Sequence, residues 1–304
     1  MQTPFPHILT VLFDVAPTLD ALAQALAKVG GQPRPEPRGT GWTIGHPGVL
    51  IPGNDERPGV FVDILPCPWP DGLGTDGRDP ALLEAVQTGA FGTATAPGAL
   101  ARAISQAVHW PEAAVSTATH QAFLRIRTSP AFPGTDPGPL ITWRHLTGIA
   151  ALLLAMPSST AWFAPCGEVL HSRTTLMASL QSAAQGDHLP IDLWSGLRMF
   201  RLGDPDGWAV MDTVGMAGLG GQDAELCFRP DVLSPQQAGA FLRNFSLYLI
   251  ENKKPVEDGH TLEGPGVRLQ VRVPDRSLVP PRRSVWRLFP VGGRPVPTLL
   301  MRDT

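Results

Sequence analysis

Proline and glycine set the limits on what this chain can fold into. There are 33 prolines and 32 glycines among 304 residues, together about a fifth of the chain. Each proline fixes φ and lacks a backbone N–H, and each glycine loosens the backbone, so the fold has to be assembled from short elements joined by irregular loops. The densest block is Pro66-Cys67-Pro68-Trp69-Pro70-Asp71-Gly72-Leu73-Gly74. Three prolines in five residues force an extended segment there, and Asp-Gly then turns it. The rest of the composition narrows the class. Hydrophobic residues make up 43% and charged residues 17%, with a net charge of −3, which excludes a disordered chain and gives no electrostatic footprint for nucleic acid. No apolar run reaches the ~18–20 residues of a membrane span. The first cation is Lys28 and the apolar stretch 8–13 is short, so no signal peptide is expected and the location reads as cytoplasmic. Cys67, Cys166 and Cys227 are odd in number and form no Cys-x-x-Cys, which fits small buried thiols in a reducing compartment.

Between the loops, two series of elements can be read. Residues 7–15 form a nearly continuous apolar strand, the pattern of an inner strand covered on both faces. Thr18 caps a helix carrying Leu19, Leu22, Ala23, Leu26 and Val29, which Gly30-Gly31 ends. Strands are expected at 41–44, 48–51 and 60–65, and helices near 80–88 and 97–108. The order then starts again: a strand at 121–127, a Pro/Gly-rich loop at 130–139, an apolar helix at 141–155, strands at 160–164 and 168–171, and a helix at 173–184. A hairpin joins 197–202 to 208–214, followed by a strand at 225–229 and an amphipathic helix at 235–250. Both halves show strand, helix, strand, strand, helix. The expected fold is therefore α+β, with two antiparallel sheets each backed by helices, arising by internal duplication of a split β-α-β, ferredoxin-like unit. The expected boundaries are 1–115, 116–262, and a Pro/Arg-rich arm at 263–304 with one or two peripheral strands.

Several short blocks occur in a fixed order: Gly41-Trp42-Thr43-Ile44-Gly45, the Pro68-to-Gly74 run, Thr88-Gly89-Ala90-Phe91-Gly92, Pro97-Gly98-Ala99-Leu100-Ala101-Arg102-Ala103, Ala122-Phe123-Leu124-Arg125-Ile126-Arg127 and Pro165-Cys166-Gly167-Glu168-Val169-Leu170. Together they make residues from about 5 to about 260 similar to an uncharacterised bacterial family, the domain of unknown function 4261. The resemblance implies no activity and no residue roles. Members of that family resemble proteins of bacterial toxin, secretion and immunity settings, which implies a protein-binding role.

The residues themselves argue against most chemistries. No two of the eight histidines have His-x-x-x-His or His-x-His spacing, and no metal or cofactor is expected. Cys166 with His171 and Glu168 is the nearest approach to a nucleophile site, but on a strand Cys166 and Glu168 share one face while His171 takes the other. Residues 215–221 are glycine-rich without the Gly-Lys-Ser/Thr ending of a phosphate loop, and Asp204 and Asp206 read as a hairpin turn rather than a calcium loop. Asp14, Asp63 and Glu225 stand in or beside apolar strands and need partners, which Arg125 and Arg127 could supply. Tryptophans in loops, Trp69 and Trp110, suit contacts with another protein. The expected function is thus a non-enzymatic cytoplasmic protein-binding module, as in an immunity or accessory factor, with Trp69, Asp71, Asp76 and Asp79 as contacts. A small-molecule enzyme with a cleft between the halves, using Cys166, His171 and Glu168, is the alternative; a self-assembling structural subunit is the third.

Overall fold

The computed structural model describes residues 7–35, 41–92, 95–128, 137–186, 188–203, 207–252, 256–292 and 295–301. Backbone contacts divide the chain into two units, Met1–Trp194 and Ser195–Thr304. The expected loop at 130–139 lies mostly outside the described residues, as do Asp204 and Asp206.

In the first unit, β1 (Ile8–Phe13) is buried at all six positions, as its unbroken apolar run requires. Thr18 Oγ1 accepts from the Ala21 N–H at 3.2 Å and starts α1 (Leu19–Leu26), and Gly30 at φ +79° ends the turn that follows it. β2 (Gln32–Arg34), β3 (Gly48–Ile51) and β4 (Val60–Leu65) come next, then α2 (Pro80–Gln87), α3 (Ala99–Gln106) and α4 (Ala113–Thr117). β5 (Ala122–Thr128), α5 (Pro139–Leu153), β6 (Ser159–Ala164), β7 (Val169–His171), α6 (Arg173–Gln185) and α7 (Ile191–Trp194) complete the unit. The strands form one antiparallel sheet in the order β2-β3-β4-β5-β1-β6-β7.

Register sorts the side chains to two faces. Leu12, Phe123 and Ala161 sit side by side across β5, β1 and β6, and with Phe163, Leu170 and Leu65 they form a core with Leu82, Ala99, Leu100, Ala103 and Ala113 of α2, α3 and α4. The alternate residues Leu9, Val11 and Phe13 are equally buried, and α5 packs along β1, β5 and β6 without entering that core. Helices therefore cover both faces of this sheet.

Two expectations fail here. β5 lies between β4 and β1, so residues 1–115 and 116–262 do not hold separate sheets, no ferredoxin-like duplication is evident, and the break between units falls at Trp194/Ser195. Residues 41–44 are turns rather than a strand. The carbonyls of Trp42 and Thr43 accept from the buried Arg125 guanidinium at 3.1 and 2.9 Å, so they are not available to a ladder. The same guanidinium grips Asp63, its cross-strand neighbour, with two further bonds. Asp63 thus has the arginine partner its apolar strand called for.

The second unit holds β8 (Gly196–Arg201), β9 (Ala209–Val214), β10 (Asp223–Phe228), α8 (Pro235–Asn252), β11 (Thr261–Glu263), β12 (Arg268–Arg272), β13 (Val285–Pro290) and α9 (Thr298–Met301). Its sheet runs β11-β12-β13-β10-β9-β8 and is mixed, because β13 pairs with β10 in parallel. β12 and β13 are inner strands, which corrects their reading as a peripheral arm. α8 covers one face through Ala238, Leu242, Phe245 and Leu249, packed on Met211, Leu226, Val271 and Leu288. The unit is therefore, like the first, a sheet flanked by helix.

Candidate functional site

The opposite face of the second sheet carries charge. Register places Arg198, Asp212, Glu225, Arg287 and Arg272 in one row across β8, β9, β10, β13 and β12. Arg198 donates to both oxygens of Asp212 at 3.0 and 2.6 Å, and Arg287 Nε donates to Glu225 at 2.9 Å. Arg283 reaches over the row from the segment before β13. It donates to Asp212 at 2.7 Å, to Asp223 at 3.0 Å and to the Thr213 carbonyl at 2.6 Å. The Leu278 N–H donates to Glu225 at 2.7 Å. Burial pushes the Asp223 and Glu225 carboxyls up, and the neighbouring guanidiniums pull them back. Burial likewise pushes the Cys227 thiol, on the same face, well above its ordinary value. In this network Asp212, Asp223 and Glu225 are each tied to an arginine, which is a fastening for residues 277–283 rather than an acid/base pair. No signal along the sequence joined these residues, because five strands and a loop contribute them.

The second cluster joins α3, β6 and β7. Glu168 adopts φ +52°, a left-handed conformation that a non-glycine residue holds only under tertiary constraint. The constraint is visible: Arg102 Nε and Nη2 donate to Glu168 Oε1 at 2.8 and 2.6 Å. Cys166 sits in a single 3₁₀ turn just before it. His171 lies against the Trp162 and His109 rings, with centroids 5.7 and 4.3 Å away, and its Nδ1 is 3.2 Å from Thr175 Oγ1. Burial, reinforced by His109, drives the His171 pKa down to about 3. A nucleophile site needs Cys166, His171 and Glu168 joined by hydrogen bonds. Here Glu168 accepts two bonds from Arg102, and His171 is held neutral against two rings.

The remaining expected contacts belong to the proline-rich loop, residues 66–79. Trp69 is only 4% exposed and meets Phe91, Phe123 and Phe163 edge-on at 5.2–5.4 Å. Its backbone N–H donates to His120 Nε2 at 3.0 Å, while His120 Nδ1 bonds the Thr117 carbonyl at 2.6 Å, so Nδ1 carries the ring proton. Asp71 accepts from the Leu100 and Ala101 N–H groups at 2.7 and 3.1 Å. It thereby caps α3, whose own N-cap residue, Gly98, has no side chain to do so. Asp79 caps α2 through the Leu82 N–H at 2.9 Å and accepts the Trp42 indole N–H at 2.6 Å. That indole, then the Leu82 amide, hold its carboxyl below the usual range. Asp76 alone of the four projects outward, in a pair with Arg78 whose side chains are 58% and 88% exposed. Trp69 is therefore a core anchor rather than a surface contact, and the half-buried carboxylates of Asp71 and Asp79 are engaged as helix caps. Trp110, also expected at the surface, is buried in the same core.

Among the described residues, no group of three or more His, Cys, Asp or Glu side chains is placed to hold a metal, and no helix is long and apolar enough to cross a membrane. Comparison with known families settles one stretch. Residues 212–289 match the family model described as a domain of unknown function, DUF4261. This is the family that the sequence blocks resemble. The DUF4261 match lies wholly in the second unit, running from β9 to β13, whereas the blocks lie between residues 41 and 170 of the first. It also takes in β12 and β13, beyond the expected end of the resemblance near residue 260. Neither a curated protein nor a solved structure matches the chain.

Proposed function

We propose that this chain is a non-enzymatic protein-binding module and that the loop of residues 66–79 is its recognition element. The observation that carries the reading is the way this loop is held. Trp69, Asp71 and Asp79 fasten it to the sheet core, to α3 and to α2, while Pro66, Pro68, Thr75, Asp76 and Arg78 remain exposed. A loop locked before binding loses little conformational freedom when a partner docks, and that raises affinity for a given contact area. The partner-facing residues are then Pro68, Asp76 and Arg78, with Trp69, Asp71 and Asp79 acting behind them. The pairing of Glu168, Asp63, Asp212, Asp223 and Glu225 with arginines supports the non-enzymatic half of the reading. An immunity or accessory role in a bacterial system is the setting that the family resemblance suggests.

The test is native mass spectrometry of the tagged full chain purified from its own host. The wild type should carry a second polypeptide at fixed stoichiometry. The double charge reversal Asp76→Lys/Arg78→Glu should release it without moving the thermal midpoint, since both side chains are exposed. A wild-type chain free of any second polypeptide, or a partner retained equally by the variant, would overturn the assignment.

A further inference from the structure

A cavity of about 390 Å³ opens in the first unit between α5, α6 and α7. Its lining is mostly apolar: Gly148, Leu180, Ala183, Ala184 and Pro190, with Trp194 buried behind them. Trp194 is fully buried and oriented by its indole N–H, which donates to Thr147 Oγ1 at 2.9 Å, and Thr147 passes its own proton to the Trp143 carbonyl at 2.7 Å. Thr147 and Trp194 thus satisfy each other, and neither offers a polar group to a ligand.

The polar groups left to the cavity are a guanidinium and an imidazole, the His188 Nδ1–H being directed to the Leu189 carbonyl at 3.2 Å. Arg144, one helical turn before Gly148, lines it and makes no hydrogen bond or ion pair among the described residues. His188 lines it from the turn after α6, its ring seated over Gly186, where a Cβ would come within 2.6 Å of it. A guanidinium with no protein partner among the described residues, on a mostly apolar lining, fits a planar anion attached to a hydrophobic body. The volume falls at the lower end of ligand pockets, roughly 300–1,000 Å³. At about 30 Å³ per water-sized group it takes about a dozen non-hydrogen atoms. We infer that this cavity is a binding site for a small aryl or branched-alkyl carboxylate, whose carboxylate Arg144 receives and whose apolar body lies on Gly148, Leu180 and Ala184. This stands apart from the loop at residues 66–79, and neither reading needs the other.

Gly148 gives a clean way to close the site. A Cβ built there meets nothing within 4 Å, and leucine is the better helix former, so Gly148→Leu fills the cavity without straining α5. The experiment is titration calorimetry of the full chain with 4-phenylbutyrate as probe and 4-phenylbutan-1-amine as its charge-reversed control. The acid should bind saturably and the amine should not. Arg144→Gln should weaken the acid roughly tenfold or more, and Gly148→Leu should abolish it with the circular dichroism spectrum unchanged. The inference is overturned if the acid does not saturate the wild type, if the amine binds as tightly, or if either variant binds the acid like the wild type.

Discussion

Arg125 offers the sharpest test of how the first unit is held together. A guanidinium has five N–H groups, and this one makes five bonds: two to Asp63 at 3.0 and 2.5 Å, and one each to the carbonyls of Trp42, Thr43 and Ala90 at 3.1, 2.9 and 3.1 Å. Arg125 and Asp63 are both fully buried. Replacing Arg125 by Met keeps the apolar stem but strands a buried carboxylate, whose other bond is a 3.4 Å contact from the Gly45 N–H. Removing one partner of such a pair costs about 3–5 kcal/mol. With a urea m-value of about 3 kcal/mol/M, the unfolding midpoint falls by a little over 1 M. The orphaned charge causes most of that loss, so adding Asp63→Asn to Arg125→Met should restore part of it. The double variant should then be more stable than the two single effects predict when added. Arg125→Lys, which retains a cation and loses the fork, gives an intermediate value and keeps the comparison open if Arg125→Met fails to fold. The assay is urea unfolding followed by circular dichroism and tryptophan fluorescence. A midpoint shift of Arg125→Met within error of wild type, or strict additivity in the double variant, would refute the reasoning.

Three further outcomes follow from the same geometry. His171, with a folded pKa near 3 against 6.5 in the unfolded chain, lets only the unfolded state take up a proton between those values. Stability attributable to His171 is therefore intact at pH 7 and falls by about 1.4 kcal/mol per unit as pH drops below 6.5; His171→Asn should show a shallower decline between pH 7 and 5 in urea midpoints. Trp69→Ala should destabilise the first unit by about 3–5 kcal/mol, as a buried aromatic does, whereas a surface Trp69 would leave the thermal midpoint unmoved. Native protein should titrate at most Cys67 and Cys166 with an aromatic disulfide reagent, and Cys227 only after unfolding, because it is fully buried; prompt reaction of all three would contradict its placement.

The sequence reads well where the information is local. The apolar run of β1, the Thr18 cap, the Gly30 stop and the amphipathic face of α8 all appear where their patterns put them. Strand partnership is not local. β5 joins β1 and β4 in register from 58 to 119 residues away, so an order of elements that resembles a repeat says nothing about which strands share a sheet. β13 shows the same limit: a short apolar segment among prolines looks peripheral, yet it pairs on both sides. Trp69 shows how rigidity can be misread as exposure. Prolines on both sides stiffen its loop, and that stiffness directs the indole into the core.

The charged row of the second sheet was the least legible of all. Arg198, Asp212 and Glu225 alternate with apolar residues along their strands, the usual pattern of a sheet with one wet face. Here that face is covered, by the segment carrying Leu278 and Arg283 and by Leu300 of α9, whose carbonyl accepts from Arg287 at 3.1 Å. The cover can sit there only because the row ends in matched charge: Arg283 is shared between Asp212 and Asp223, and the Leu278 N–H meets Glu225 beside Arg287. Asp212, Asp223, Glu225, Arg283 and Arg287 all fall within the DUF4261 stretch, with Arg198 the one member of the network outside it. What matches the family in this chain is thus a sheet together with the strap that neutralises its buried face. Such residues hold a fold together, and the surfaces proposed here to bind partners and ligands lie instead in the first unit, on a loop and a cavity that the matched stretch does not reach.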